Sequence, residues 1–130
     1  MKSTQLPVNE YASFYAPYIN ALGEVDLIEE LEIALHDFIR FVQNIPMDKF
    51  DYRYAEGKWD IKEIIQHVID TERIFAYRAL RISRNDKTPL PGFEENKYVE
   101  NTAANNRSIQ DLLTEFSAVR HSNLFLFKSF

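Results

Sequence analysis

The sequence predicts an all-α fold built on three long helices. Apolar residues recur at helical spacing through three long segments, and the only three glycines, Gly23, Gly57 and Gly92, each fall in a connecting position. With 130 residues and 45% hydrophobic content, the chain has the size and composition of one domain with one core. Residues 1–130 are therefore read as a single helical bundle domain.

A short helical piece is expected around Glu10 to Ala21. The first long helix runs from about Glu24 to Asn44, with Ile28, Leu31, Leu35, Phe38, Ile39 and Val42 on one face and Ile45-Pro46 ending it. The second starts after Trp59, where Asp60 can cap it and Glu63 stands three residues on as in a capping box, and it continues to about Arg84. Its apolar stripe is Ile61, Ile64, Ile65, Val68, Phe75, Ala79 and Ile82. The third begins near Ser108, again a good cap with Asp111 three residues later, and carries Ile109, Leu112, Leu113, Phe116, Leu124 and Phe127. Between the second and third lies Asn85 to Phe93, too proline-rich for a helix, and then Glu94 to Ala104 with room for a short one. Phe93 and Tyr98 on this crossover admit two readings: packing over a bundle end, or covering a pocket.

Charge and cysteine usage exclude several functions. Asp plus Glu number 20 against 15 Lys plus Arg, and the net charge of -5 gives no general attraction to nucleic acid or anionic lipid. Cysteine is absent, so no disulfide framework, thiolate nucleophile or cysteine-based metal site exists. The polar start Met1 to Pro7 leads into no apolar signal core, and no uninterrupted run of about 18 apolar residues could span a bilayer. A cytoplasmic protein with neither nucleic-acid nor membrane partners is expected.

Two charged residues interrupt the apolar stripes. Glu72 lies four residues after Val68 and three before Phe75, while Arg120 lies four after Phe116 and seven before Phe127. An unpaired buried charge costs several kcal/mol or more, so the simplest arrangement sets the two face to face. Such a pair either fixes helix register or lines a polar pocket that orients a substrate. His67 sits on the flank of the second helix, one turn before Thr71, and taken alone is either a packed residue or a ligand. His36 and His121 stand away from the centres of their stripes and complete no ligand pair. Trp59 and Tyr54 read as a hydrophobic plug at the start of the second helix, or as pocket lining.

The run Tyr54 to Arg73, with its Lys58-Trp59, His67 and Asp70-Thr71-Glu72-Arg73, followed by Tyr77 to Arg81 and by Asp86-Lys87-Thr88-Pro89-Leu90-Pro91-Gly92-Phe93, closely resembles the DinB-like superfamily, and most of all its metal-dependent hydrolase branch. The resemblance spans about Asn20 to Phe130. It implies an up-down-down-up four-helix bundle holding zinc or nickel on three histidines, the first matching His67. The other two come, in the family, from a His-x-x-x-His motif on a fourth helix, where an i, i+4 pair puts two imidazoles on one face. After Arg120 the sequence reads His121 to Phe130 without that motif, so the chain is expected to be C-terminally truncated, with the fourth helix absent.

Three helices patterned for a four-helix core would leave apolar surface uncovered, and dimers are common in the family, so a homo-oligomer, most simply a dimer, is expected. The function that the resemblance implies is metal-dependent hydrolysis or thiol S-transfer, with the metal of the full-length form activating water or a low-molecular-weight thiol. His67 would be a ligand; Glu72, Arg120, Thr71, Trp59 and Phe93 would form or support the pocket, with Pro89 to Phe93 shaping its rim. The alternatives are a non-catalytic bundle that binds a small molecule or partner helix, and an inactive fragment.

Overall fold

A computed structural model describes residues 1–130 and contains no strand. Its helices are α1 (Ala16–Ala21), α2 (Leu27–Gln43), α3 (Ile61–Ser83), α4 (Glu95–Glu100) and α5 (Ile109–Lys128). The three long ones start where the caps lie. Asp26 accepts from the backbone N–H groups of Ile28 and Glu29 at the head of α2. At α3 the reciprocal box forms in full, Asp60 Oδ1 accepting from Glu63 N and Glu63 Oε2 from Asp60 N, each at 2.9 Å. Ser108 Oγ accepts from Asp111 N at 3.1 Å at the head of α5. Beyond α3, Asn85 turns the chain away with φ 57, the left-handed conformation that asparagine tolerates better than most residues.

Cross-helix pairs give the directions. Gln66 meets Arg107, Arg73 meets Glu115 and Glu72 meets Arg120, so residue numbers rise together and α3 and α5 run parallel. Arg120 meets Leu31 while Lys128 meets Glu32, and at the other end Gln43 shares a hollow with Gln110, so α2 is antiparallel to α5. Helix α5 packs against both α2 and α3. The result is an up-down-down bundle whose two parallel members need the long crossover of residues 84–108.

The core occupies the end where α2 finishes and α3 and α5 begin. Leu35 and Val42 from α2, Ile65 and Ile69 from α3, and Leu112, Leu113, Phe116 and Val119 from α5 are buried together with Phe50. The Phe116 ring, 1% exposed, lies 4.5 Å from that of Phe38. Full burial of a side chain of this kind contributes about 1.5–3 kcal/mol.

The buried face of α3 is rotated from the one its stripe predicts. Ile69 and Gln66 are buried, whereas Ile64, Phe75 and Ile82 are 42%, 56% and 67% exposed. The cause is lateral packing: α3 turns toward α5, α4 and the Ala104–Asn106 turn, and none of these covers its other edge. No helix is long and apolar enough to cross a membrane.

Candidate functional site

Past the core, α2, α3 and α5 enclose an open cavity of about 420 Å³. Leu27, Leu31, Val68, Phe75 and Phe127 form its apolar walls, and His67, Thr71, Glu72 and Arg120 supply the polar groups. Helical spacing assembles the α3 side: His67, Thr71 and Phe75 follow at i, i+4 and i+8, while Val68 and Glu72 stand one turn apart on the adjoining row.

The two stripe-interrupting charges meet here. Arg120 donates from Nε to Glu72 Oε1 at 2.6 Å and from Nη2 to Glu72 Oε2 at 3.0 Å, a two-bond fork that a lysine could not reproduce. Its Nη1 donates to the Leu31 carbonyl at 2.9 Å, tying α2 into the same cluster. Asn123 adds a further donor to Glu72 Oε1 at 3.2 Å. The Arg120 guanidinium also lies 5.2 Å from the Phe116 ring centroid, at the edge of the core. Both side chains are largely enclosed, 14% exposed for Glu72 and 12% for Arg120, so their desolvation is compensated by at least three bonds on each.

His67 lies between two neighbours. Its Nε2 is 3.5 Å from Thr71 Oγ1, and its ring centroid is 4.8 Å from that of Trp59. His36 and His121 lie elsewhere, exposed on α2 and α5, with His121 Nδ1 2.7 Å from the Ser117 carbonyl of its own helix. No group of three or more His, Cys, Asp or Glu side chains gathers anywhere in the fold. Glu72, the carboxylate nearest in sequence to His67 within the cavity, has both oxygens engaged by Arg120. The donor set of these 130 residues therefore does not fit a metal centre: one imidazole provides neither the ligand count nor the geometry.

Two expected pocket residues stand elsewhere. Phe93 does not reach this cavity; it packs on Tyr98, ring centroids 5.3 Å apart, with the Arg78 guanidinium 5.7 Å away, around a separate hollow of about 130 Å³. The Pro89 to Phe93 rim is thus held against the side of α3 by Arg78, whose Nη2 donates to the Pro91 carbonyl at 3.0 Å. Trp59 contacts His67 but opens with Tyr54, Gly57, Lys58, Ile64 and Asn96 on a neighbouring hollow of about 250 Å³. Tyr54 is 69% exposed and plugs nothing.

Four polar residues that tie the helices together escape the apolar-stripe reading. Asn123, 6% exposed, stands one turn after Arg120, a spacing that could have revealed it. Arg53 reaches across the head of α3 to both capping carboxylates, at 2.9 Å from Asp60 and 2.8 Å from Glu63. Arg107 binds Gln66, Asp111 and Glu115, and Arg73 adds a second contact to Glu115 at 2.6 Å. Burial alone would push the Glu63 and Glu115 carboxyls up. Arg53 and the Asp60 N–H outweigh burial at Glu63, and Arg107 and Arg73 outweigh it at Glu115, so both sit below the ordinary glutamate value.

The family model of the DinB superfamily matches residues 30–129, from the first turn of α2 to the end of α5. The chain belongs to the DinB superfamily. It is similar to a Bacillus mycoides protein named "Putative metal-dependent hydrolase", 21% identical over 104 residues, which cover 77% of this chain and 57% of that one. An Oceanobacillus iheyensis protein of the same description is 24% identical over 98 residues, 75% of this chain and 47% of its own length. A third, from Bacillus cereus, is 23% identical over 74 residues, 56% of this chain and 42% of the relative. The chain spans about half the length of the curated relatives it matches. No solved structure matches it significantly.

Proposed function

We propose that the cavity is the substrate pocket of a metal-dependent hydrolase, and that His67 is the one metal ligand supplied by residues 1–130. The observation that carries this reading is the convergence of His67, Thr71 and the Glu72–Arg120 pair on a single largely apolar cavity. The names of the DinB-superfamily relatives support the metal-dependent part. A divalent ion, zinc or nickel, would supply a nucleophile near neutral pH from water, or from a low-molecular-weight thiol if the chemistry is S-transfer. Its remaining ligands would come from outside these residues, since no group of three or more His, Cys, Asp or Glu side chains forms around His67 and Glu72 is engaged by Arg120.

Within the chain, each group has a definable task. Trp59 and Thr71 restrict the His67 ring, the Glu72–Arg120 fork fixes the spacing of α3 and α5 behind it, and the apolar walls exclude water from a bound molecule. Exposed Phe41 and Phe125, at 67% and 77%, support association of the bundle, and a dimer is the state expected from light scattering.

Elemental analysis tests the metal reading. Protein expressed from the whole reading frame should carry about one divalent ion per chain, and His67→Ala should lose most of it while keeping its helical circular dichroism. A full-length form without stoichiometric metal would leave the second reading, a non-catalytic bundle that binds a small molecule or partner helix. The complete engagement of Glu72 by Arg120 favours that alternative, because it removes the one carboxylate on the cavity wall from any ligand role.

A further inference from the structure

We infer that the hollow between α3 and the 84–93 segment is a binding site for a small oxyanion, a phosphate or carboxylate group, with Arg78 as the cation that recognises it. The hollow is separate from the cavity beside His67, and its role does not depend on how that cavity is read.

Charge pairing singles out Arg78. Four arginines are half-buried, and three of them have their counter-ion: Arg81 holds Asp86 at 2.7 Å, Arg107 holds Asp111 at 2.6 Å and Arg120 holds Glu72 at 2.6 Å. Arg78, the fourth, has no carboxylate partner. Its one hydrogen bond goes to the Pro91 carbonyl at 3.0 Å, so of five N–H groups up to four are left for a ligand. The acidic residues that flank the segment do not fill the gap: Asp86 Oδ2 accepts from Arg81 and Oδ1 from the Thr88 N–H, while Glu94 and Glu95 neither pair with Arg78 nor line the hollow. Arg78 is thus the one charged side chain on a wall completed by Ile74, Tyr77, Leu90, Phe93 and Tyr98. A half-enclosed guanidinium in that position is matched by an oxyanion, whose two oxygens can accept a pair of parallel N–H bonds.

The surroundings hold the cation in place and limit what can reach it. The rings of Phe75 and Phe93 lie 5.9 and 5.7 Å from the guanidinium carbon and restrict its swing. Pro89 and Pro91 stiffen the facing backbone, which Arg81 also pins through the Thr88 carbonyl at 2.9 Å. The backbone N–H groups of Gly92 and Phe93 have no acceptor inside the chain and are donors that the fold leaves uncommitted. A volume of about 130 Å³ equals the liquid share of about four water molecules. A phosphate group or a short carboxylate fits this space, and a multi-ring ligand does not.

Titration of the purified chain with sodium phosphate and with sodium acetate, followed in amide nitrogen–proton spectra against sodium chloride at matched ionic strength, tests the inference. At least one of the two oxyanions should give saturable shifts centred on Arg78, Gly92, Phe93 and Tyr98, with a dissociation constant on the order of 10 mM or below, where chloride gives none. The tighter of the two assigns the class, a phosphorylated ligand or a carboxylic acid. Arg78→Gln should weaken binding about tenfold or more, while Lys87→Gln, which removes an exposed cation of the same segment outside the hollow, should leave it within about twofold. Arg78→Lys keeps the charge without the planar fork and should weaken binding about threefold or more. Circular dichroism shows whether Arg78→Gln keeps its helices, and Arg78→Lys decides the matter if it does not. Shifts that follow ionic strength alike in all three salts, shifts confined to the His67 cavity, binding unchanged in either Arg78 variant, or a loss in Lys87→Gln equal to that in Arg78→Gln would each overturn the inference.

Discussion

The two ends of the bundle are built from the same three helices yet solve opposite problems. At one end Val42, Phe50, Ile65, Leu112 and Phe116 fill the space between α2, α3 and α5 with hydrocarbon, and the Arg53, Asp60 and Glu63 charges gather at the head of α3. At the other, the apolar side chains line a void, and the helices are held by a fork between Glu72 and Arg120 with Asn123 and the Leu31 carbonyl attached. Geometry sets the division. A close-packed core leaves no room for a ligand, so a cavity inside a small bundle requires directional bonds to hold its walls where packing is withheld. The closed end contributes stability, and the open end gives up part of it to keep a cavity.

Substitutions in each region should behave accordingly. The largest effect belongs to the closed end: Phe116→Ala should cost about 3–5 kcal/mol in chemical denaturation, since the residue is 1% exposed and packed on Phe38. A smaller cost would mean that the core relaxes more easily than its packing implies. Next comes the fork. Glu72→Ala should cost about 3 kcal/mol by leaving Arg120 enclosed without its counter-ion, whereas Glu72→Leu combined with Arg120→Met should return to within about 1 kcal/mol of the parent or exceed it. A double variant as unstable as the single one would show that the fork contributes net stability, contrary to the division drawn above.

The smallest effect is on pH dependence and again belongs to the closed end. The folded values of Glu63 and Glu115 are depressed below 4.5, so their stabilisation is complete above about that pH and is lost as pH falls through the lower folded values. The melting temperature should decline as pH is taken below 4.5, and Glu63→Gln with Glu115→Gln should make that decline shallower. An unchanged slope would mean that Arg53, Arg73 and Arg107 do not favour the ionised forms in solution.

The sequence made some of this legible and hid the rest for definite reasons. The caps at Asp60 and Ser108 were readable because a capping bond spans only three residues. Glu72 and Arg120 were readable as a pair because each breaks an otherwise apolar stripe with opposite sign. Arg107 carried no such signal: it lies in a connection, and its contact with Gln66 spans 41 residues of sequence. Periodicity also does not encode the path of the 84–108 crossover, and Phe93 accordingly sits against Arg78 and Tyr98 instead of rimming the cavity. The rotation of α3 that buries Ile69 and exposes Phe75 has the same origin, since a stripe wide enough for two faces does not say which neighbour will cover which edge.

The contrast between the ends is tested most directly by mapping where a neutral apolar ligand binds. In amide nitrogen–proton spectra of the chain titrated with N-phenyl-1-naphthylamine, the account predicts shifts concentrated at Leu31, Val68, Thr71, Phe75, Arg120 and Phe127, with Val42, Phe50, Ile65 and Leu112 unmoved. Shifts centred on the closed end, or spread evenly over both, would contradict it.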